Sequence, residues 1–343
     1  MLPLKDPSLL KTQSLIDNQW TDATTGNTID VTNPFDNQVI ATIPSLEKSQ
    51  VIDAVAIAHK AQIDWAQKTA NERAAILNNW ADLIDQNKED LATIMTAEQG
   101  KPITESRGEI GYANSFIRWF AEEGKRIYGD IIPSTNKDLR YVVLKQPIGV
   151  CAAITPWNFP AAMITRKVAP ALAAGCSIIV KPATETPLTA LALGELAIRA
   201  GLPAGLLQIV TGKSSVIGEV LTQDERIHKL SFTGSTEVGR TLMAQCASTV
   251  KKLSMELGGN APFIVFDDAD LEKAATGLIA SKYRNAGQTC VCANRVYVQS
   301  GIKDKFLAIF KQKVEALKVG NGMTEGVNIG PLINKDAMDK VEQ

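Results

Sequence analysis

The chain has 343 residues, of which 45% are hydrophobic and 21% are charged, and its formal net charge is −1; these values are typical of a globular enzyme with more than one domain and argue against nucleic acid or an anionic membrane as its main partner. The N-terminus lacks the apolar core of a signal peptide, no apolar run is long enough to span a bilayer, and five scattered cysteines favour reduced thiols in a cytoplasmic protein. The two histidines argue against a Ser-His-Asp triad, a Cys-His pair or a multi-histidine metal site, so we expect no metal and a carboxylate or lysine as any general base.

The first part of the chain is turn-rich and then helical. Within residues 1–46, the runs TIDVTN and VIATIP predict an edge hairpin or meander. Residues 47–127 have helical periodicity, with Leu77 and Trp80 on one face, and a Gly-Lys-Pro break separates two of the helices. In residues 128–147, turn residues followed by RYVVLKQ predict a hairpin that leaves the main body.

From residue 148 onward, strand-like and helix-like segments alternate. Apolar runs such as GVCAAI, SIIVK and HKLSF are separated by helical segments that begin near proline and end near glycine. This alternation predicts an α/β fold with a doubly wound parallel sheet covered by helices on both faces. A second α/β region follows residue 258, and the chain stops inside charged, helix-like sequence, so we expect a C-terminal truncation.

Two turns that follow predicted strands contain candidate binding groups. In TPWNFP, the Asn158 amide could donate to a developing oxyanion, although Asn and Pro also favour an ordinary turn. In FTGSTEVG, Gly234 and Ser235 open a helix whose free N–H groups could bind a diphosphate, and a plain capped helix is an equal alternative. GKSSVIG is not a P-loop, because the first glycine of that motif would fall on Leu207.

Two further motifs carry reactive side chains. GQTCVC sets Cys290 and Cys292 two positions apart, which is not a metal-site spacing; they are either a nucleophile and its neighbour or two buried cysteines. A disulfide between them would need a local turn, because extended i, i+2 residues are near the upper separation for a bridge. MELGG sets Glu256 at a strand end, either as a general base or as an acid near a helix N-terminus.

Together, these motifs resemble one enzyme family. PWNFP, KPA, FTGST, ELGG and GQTC occur in the order and with the spacing of the aldehyde dehydrogenase superfamily, and the resemblance covers the whole chain. Within it, ITPWNFPAAMITRK and SKYRNAGQTCVCANR are most similar to succinate-semialdehyde dehydrogenases. The resemblance implies a dinucleotide-binding domain over 1–127 and 148–258, an oligomerisation hairpin over 128–147, and the N-terminal part of a catalytic domain over 259–343.

The resemblance also implies a role for each reactive side chain. Cys290 would attack the aldehyde carbon, and the resulting oxyanion would lie between the Asn158 amide and the backbone N–H of Cys290. Hydride transfer would leave a thioester, and Glu256 would activate the water that hydrolyses it. A thiol suits this chemistry because it adds readily to carbonyls and its thioester remains hydrolysable.

The resemblance assigns cofactor and substrate contacts as well. NAD or NADP would bind to eight residues: Thr155, Pro156, Trp157, Lys181, Thr184, Gly234, Ser235 and Gly258. NAD-preferring relatives have Glu where this chain has Thr184, so we expect NADP to be accepted and even preferred. Arg166 and Arg284 match the arginines that bind the substrate carboxylate, a task that suits the planar guanidinium.

The remaining expectations concern assembly and completeness. The small-molecule partner would be an aldehyde, and the hairpin implies a homo-oligomer in the full-length protein. The resemblance predicts further C-terminal sequence with a Glu-x-x-Phe-Gly-Pro segment, which this chain lacks. Two other interpretations stay open at this point: a truncated dinucleotide-binding fragment, and a hydrolase that uses the same cysteine without a cofactor.

Overall fold

The N-terminal part of the chain forms two short strand pairs and four helices in the computed structural model, which describes residues 2–342. The strands are β1 (Ser14–Ile16), β2 (Gln19–Thr21), β3 (Thr28–Thr32) and β4 (Val39–Pro44). The helices are α1 (Lys48–Gln67), α2 (Ala70–Gln86), α3 (Lys88–Gln99) and α4 (Ile103–Glu123). β3 and β4 pair antiparallel, which confirms the predicted hairpin. Gly100, in the left-handed conformation, ends α3, and Pro102 precedes α4, as the Gly-Lys-Pro break predicts.

A hairpin of β5 (Asp130–Ile132) and β6 (Tyr141–Val143) follows. The two strands pair antiparallel, and all six of their residues are exposed. The predicted hairpin is therefore confirmed, and it makes little contact with the sheet that comes next.

The central sheet is built by alternating strands and helices. Its elements are β7 (Val150–Ile154), α5 (Ala162–Ala173), β8 (Ser177–Lys181), α6 (Leu188–Arg199), β9 (Leu207–Ile209), α7 (Ser214–Gln223), β10 (Ile227–Thr233), α8 (Thr236–Cys246) and β11 (Lys252–Glu256). The strand order is β11-β10-β7-β8-β9-β1-β2. The five strands from β7 to β11 are parallel, and β1 joins β9 antiparallel. This confirms the predicted doubly wound sheet; β1 and β2 extend it, which their three-residue lengths do not predict.

Helices cover both faces of this sheet. On one face, Ile178 and Val180 pack in a core that includes residues of α2, α4, α5 and α6. On the other, Ala152 and Ile179 pack with apolar residues of α1, α7 and α8. Because the central strands are buried on both faces, they are continuous apolar runs rather than alternating ones.

The strand order creates a crevice at one edge of the sheet. From β7 the chain moves outward through β8 and β9, and then returns to the other side of β7 to form β10 and β11. At such a switch point the loops after two neighbouring parallel strands diverge, and ligands bind between them. The loops in question are the PWNFP loop after β7 and the Gly-Ser turn after β10.

A second, smaller unit follows the central sheet. It contains β12 (Ala261–Val265), α9 (Leu271–Lys282), β13 (Ala293–Val298), α10 (Lys303–Glu315) and α11 (Lys335–Glu342). β12 and β13 pair in parallel, and a small core of Val265, Leu278 and Phe306 joins them to the helices. The domain boundaries remain a prediction. In residues 2–342, no helix is both long and apolar enough to cross a membrane.

Candidate active site

The loops at the switch point surround a cavity of about 610 Å³, here called the crevice cavity. Its walls come from the loops after β7, β10 and β11, from the end of α9 and the segment that precedes β13, and from α11. Eight residues singled out in the sequence line it: Pro156, Trp157, Asn158, Gly234, Ser235, Gly258, Cys290 and Cys292. Residues separated by more than 130 positions thus meet in one cavity, as parallel-strand topology requires of loops at one sheet edge.

The two cysteines of GQTCVC differ in accessibility. Both line the crevice cavity, and Cys290 is half-buried. Cys292 is 4% exposed, and its sulfur lies 3.3 Å from the carbonyl oxygen of Gly287 and 3.4 Å from Asn294 Oδ1, two alternative acceptors for its single S–H. Both thiols are free, so a bridge between them stays a prediction. The more accessible sulfur is the better candidate nucleophile.

Asn158 links the PWNFP loop to the cysteine segment. Its Nδ2 donates to the carbonyl of Gln288 at 3.0 Å, two residues before Cys290. Its backbone carbonyl accepts hydrogen bonds from Lys101 Nζ at 2.6 Å and from Asn285 Nδ2 at 3.1 Å. The amide therefore lies beside the nucleophile segment, and its second N–H is a suitable donor for an oxyanion formed there.

Glu256 ends β11 and faces a second cavity of about 490 Å³, here called the side cavity. Arg166 and Lys167 line the same cavity, and Cys290 does not. The backbone carbonyl of Glu256 accepts the N–H of Gly234 at 3.0 Å, so this residue also fixes the turn after β10. Burial lowers the pKa of Lys167 to about 8, and its Nζ donates to Ser231 Oγ at 3.0 Å.

The crevice fits an anionic dinucleotide. A Cβ on Gly234 would lie 2.4 Å from the ring of Phe232, so the turn excludes side chains there and leaves its backbone open to a ligand. Ser235 caps α8 by accepting the N–H of Val238 at 3.3 Å, and the helix N-terminus favours negative charge. The hydroxyl groups of Thr155 and Thr233 are buried and have no partner among the described residues.

Lys181 and Thr184 lie at the end of β8, outside the crevice cavity. Lys181 is buried, which lowers its pKa, and its Nζ donates to Ser214 Oγ at 2.8 Å. Thr184 is half-buried. The end of β8 and the residues that follow it thus provide the ammonium group of Lys181 and the hydroxyl of Thr184, one strand away from the switch point. These groups suit the distal part of a long ligand.

The two arginines singled out in the sequence lie in different surroundings. Arg166 stacks its guanidinium 4.8 Å from the ring of Phe116 and donates to the Tyr112 hydroxyl at 3.0 Å. Arg284 is exposed and lies 4.8 Å from the ring of Phe159, outside both cavities. Each guanidinium packs against an aromatic ring, but the structure does not bring the two arginines together in one cavity with Cys290.

A buried polar network beneath the PWNFP loop was not predicted. Its members come from the end of α3, the α3–α4 connection, the first turns of α4 and the segment before Cys290: Gln99, Lys101, Glu105, Glu109 and Asn285. Charges in helical sequence are usually solvated, so nothing in the pattern indicates that these are buried. Among residues 2–342, no group of three or more His, Cys, Asp or Glu side chains could hold a metal ion.

Comparisons with known proteins agree with this geometry. The profile of the aldehyde dehydrogenase family matches residues 20–343. The chain is 57% identical over 342 residues to the succinate-semialdehyde dehydrogenase (NADP(+)) of Escherichia coli strain K12, covering 100% of this chain and 71% of that protein. It is also 57% identical over 343 residues to the 3-sulfolactaldehyde dehydrogenase of Pseudomonas putida, with the same coverage.

Solved structures show the same fold. The structure of an aldehyde dehydrogenase from Brucella melitensis biovar abortus 2308 superimposes with a TM-score of 0.99 at 63% sequence identity, covering 100% of this chain and 71% of that one. The family profile matches nearly the whole sequence, and the relatives share more than half of its residues, so the family can be assigned. The chain belongs to the aldehyde dehydrogenase family.

Proposed function

We propose that this chain belongs to an enzyme that oxidises an aldehyde with an anionic group at its far end, first of all succinate semialdehyde to succinate. The observation that carries the proposal is the meeting of Cys290 and the Asn158 amide at the switch-point crevice. Two relatives are named for succinate semialdehyde and 3-sulfolactaldehyde. Both compounds pair an aldehyde with an anion, which is a carboxylate in one and a sulfonate in the other.

The proposed chemistry begins at the accessible thiol. Cys290, as a thiolate, attacks the aldehyde carbon; a C–S bond forms and the carbonyl π electrons move to oxygen. The Asn158 amide and the backbone N–H of Cys290 donate to this oxyanion. One oxyanion donor contributes on the order of 10²–10³ in rate. Because Asn158 already contacts the carbonyl of Gln288 in the same segment, little reorganisation is needed.

The second half of the reaction releases the acid. NAD or NADP, when bound, would supply the oxidising power as hydride acceptor, and loss of hydride from the thiohemiacetal carbon would leave a thioester on Cys290. Glu256 then takes a proton from water, which attacks the thioester carbon, and the thiolate leaves with the C–S bond electrons. Glu256 faces the side cavity, so we propose that its side chain moves toward Cys290 at this stage.

We propose that the dinucleotide is held by the residues named from the resemblance. Gly234 and Ser235 accommodate the diphosphate, and the backbone of Thr155, Pro156, Trp157 and Gly258 lines the nicotinamide end. Lys181 and Thr184 bind the adenosine ribose and accept the 2′-phosphate of NADP. The buried cation at Lys181 supports this, because a phosphate would pair with it.

Arg166 and Arg284 are proposed to bind the distal anion of the substrate. Losing one charge-assisted contact should cost about 1.5–3 kcal/mol, so Arg166→Ala or Arg284→Ala should lower kcat/KM for succinate semialdehyde about ten- to a hundredfold. Butanal, which has similar length and no anion, should be affected much less. Arg107→Ala, which removes an exposed arginine of α4, is the matched control. Equal losses on both aldehydes would contradict the anion-binding role.

We further propose a homo-oligomer in the cytoplasm. The exposed apolar hairpin of β5 and β6 supports self-association, and five free cysteines support a reducing compartment.

A further inference from the structure

Two opposite charges are buried beneath the PWNFP loop. The side chains of Lys101 and Glu109 are each 1% exposed, and Lys101 Nζ lies 2.6 Å from Glu109 Oε2. Removing two charges from water carries a desolvation penalty that can exceed their mutual attraction. A pair of this kind adds little to stability, so the question is what else its atoms contact.

The other side-chain hydrogen bonds of the pair go to the segment that carries Asn158. Lys101 Nζ donates to the backbone carbonyl of Asn158 at 2.6 Å and lies 4.3 Å from the ring of Phe159. Glu109 Oε1 accepts the N–H groups of Ala161 at 2.9 Å and Ala162 at 3.2 Å, at the start of α5. The pair therefore contacts both ends of the five-residue segment 158–162.

A second set of contacts ties this segment to the nucleophile. Asn285 Nδ2 donates to the carbonyl of Asn158 at 3.1 Å and to that of Gln288 at 3.3 Å. Gln99 Nε2 donates to Asn285 Oδ1 at 2.9 Å and so orients the Asn285 amide. Residues at the end of α3 and the start of α4 thus support the asparagine loop and the cysteine segment together.

We infer that the buried Lys101–Glu109 pair is a positioning device that holds the Asn158 amide where it donates to the oxyanion on Cys290. The inference rests on the proposed role of Asn158. Lys101 contacts the backbone of Asn158 and does not contact the amide, so it acts on the reaction through Asn158 alone. A loosened loop would leave the amide present but misplaced, and a small misplacement is costly for a preorganised donor.

The test uses acylation of Cys290 by p-nitrophenyl acetate, which needs no dinucleotide. The thiolate attacks the ester carbonyl, a C–S bond forms, the ester C–O bond breaks, and p-nitrophenolate leaves with the electron pair. The burst of p-nitrophenolate reports the acylation rate, and its oxyanion requires the same donor. Cys290→Ala should abolish the burst, and Asn158→Ala should slow it about a hundredfold.

Lys101→Met should slow acylation about tenfold or more. In Asn158→Ala the backbone carbonyl remains, so Lys101 keeps its hydrogen bond while the amide through which it acts is gone. Adding Lys101→Met to Asn158→Ala should therefore lower the acylation rate by less than about threefold further, since two substitutions that act through the same amide are not additive. Independent effects that multiply would overturn the inference.

Lys101→Met leaves Glu109 buried without its partner and invites misfolding. The double variant Lys101→Met/Glu109→Gln removes both charges and keeps an acceptor for the N–H groups at the start of α5. It should fold with a thermal midpoint near that of the wild type and still acylate about tenfold more slowly. A well-folded double variant with the wild-type rate would overturn the inference.

The exposed pair Arg107–Glu89 joins α3 to α4, the two helices whose connection contains Lys101, so Arg107→Met/Glu89→Gln is the matched control and should change neither rate nor midpoint. If Cys290→Ala acylates as fast as the wild type, the proposed function is wrong, and the positioning role that rests on it is wrong as well. If Cys290→Ala is inactive and the Lys101 variants are unaffected, the inference alone fails.

Discussion

At the scale of single residues, Cys290 and Cys292 are two positions apart and are not equivalent. Both cysteines line the crevice cavity, but Cys292 is buried and its sulfur lies within hydrogen-bond distance of the Gly287 carbonyl and Asn294 Oδ1, whereas Cys290 is half-buried. We expect Cys290→Ala to abolish aldehyde oxidation and Cys292→Ala to retain much of it, because a nucleophile needs access to its substrate. Steady-state NADPH formation measures both. Loss of activity in Cys292→Ala with activity retained in Cys290→Ala would reverse the assignment.

Cofactor choice depends on a residue at the end of β8. Thr184 follows Lys181 by three positions and is neutral, so nothing at this position repels a 2′-phosphate. Thr184→Glu should shift the NADP/NAD ratio of kcat/KM toward NAD by about tenfold, equivalent to about 1.4 kcal/mol. A carboxylate there would repel the phosphate and bind the ribose hydroxyls. Thr184→Gln, which matches the size without the charge, is the control. An unchanged ratio in Thr184→Glu would show that this position does not set the choice.

Candidate reactive residues could be singled out from the sequence, whereas the residues that support them could not. Asn158, Glu256 and Cys290 are candidates because their motifs together resemble those of one enzyme family, although each motif alone is ambiguous. Lys101 lies in the Gly-Lys-Pro break and Glu109 in α4, and their burial depends on contacts with Asn158 and Ala161, more than fifty positions away. Local sequence patterns carry no information about such distant partners.

At the scale of secondary-structure elements, a carboxyl group from one helix caps another. Glu98, near the end of α3, accepts the N–H of Leu188 at 2.7 Å and of Thr189 at 2.8 Å, the first residues of α6. Pro187 makes no side-chain cap there. Glu98→Ala would leave two buried N–H groups unpaired, at about 1–3 kcal/mol each. We expect a loss of about 2–5 kcal/mol in the free energy of unfolding by urea, against almost none for Glu89→Ala, on the exposed face of α3.

The same carboxyl should make stability depend on pH. Burial raises the pKa of Glu98 from 4.5 to about 8, although its N–H contacts oppose the shift. A group whose pKa is raised on folding contributes stability that is complete below about pH 4.5 and is lost as the pH rises through 8. The difference in unfolding free energy between the wild type and Glu98→Gln should therefore decrease over this range. A difference that grows with pH would mean that the N–H contacts keep Glu98 ionised in the folded protein.

The strands and helices of the central sheet could be predicted because each is an uninterrupted pattern with recognisable ends. β8 is a run of five buried residues, and Ser235 occupies the N-cap of α8 that FTGST indicates. β1 and β2 could not be predicted, since three residues are too few to establish a period of two. The place of β1 beside β9 depends on a register that spans nearly two hundred positions, and β2 pairs only with β1.

At the scale of the whole molecule, the hairpin of β5 and β6 carries apolar side chains that the chain itself does not cover. Ile131 is 77% exposed and Val142 is 63% exposed. Two such strands with unpaired edges favour pairing with another copy. We propose that this hairpin holds the homo-oligomer together in the protein extended to the length of its relatives.

The prediction is that Ile131→Lys/Val142→Lys converts the extended protein into a smaller species while its fold is retained. The two lysines would place charges within an apolar contact, where their desolvation opposes association. Light scattering coupled to gel filtration gives the mass, and circular dichroism checks the fold. Val319→Lys replaces an equally exposed valine, at 76%, outside the hairpin and should leave the mass unchanged. If the hairpin variant keeps the wild-type mass, or if the wild type is itself a monomer, the hairpin is not the association surface.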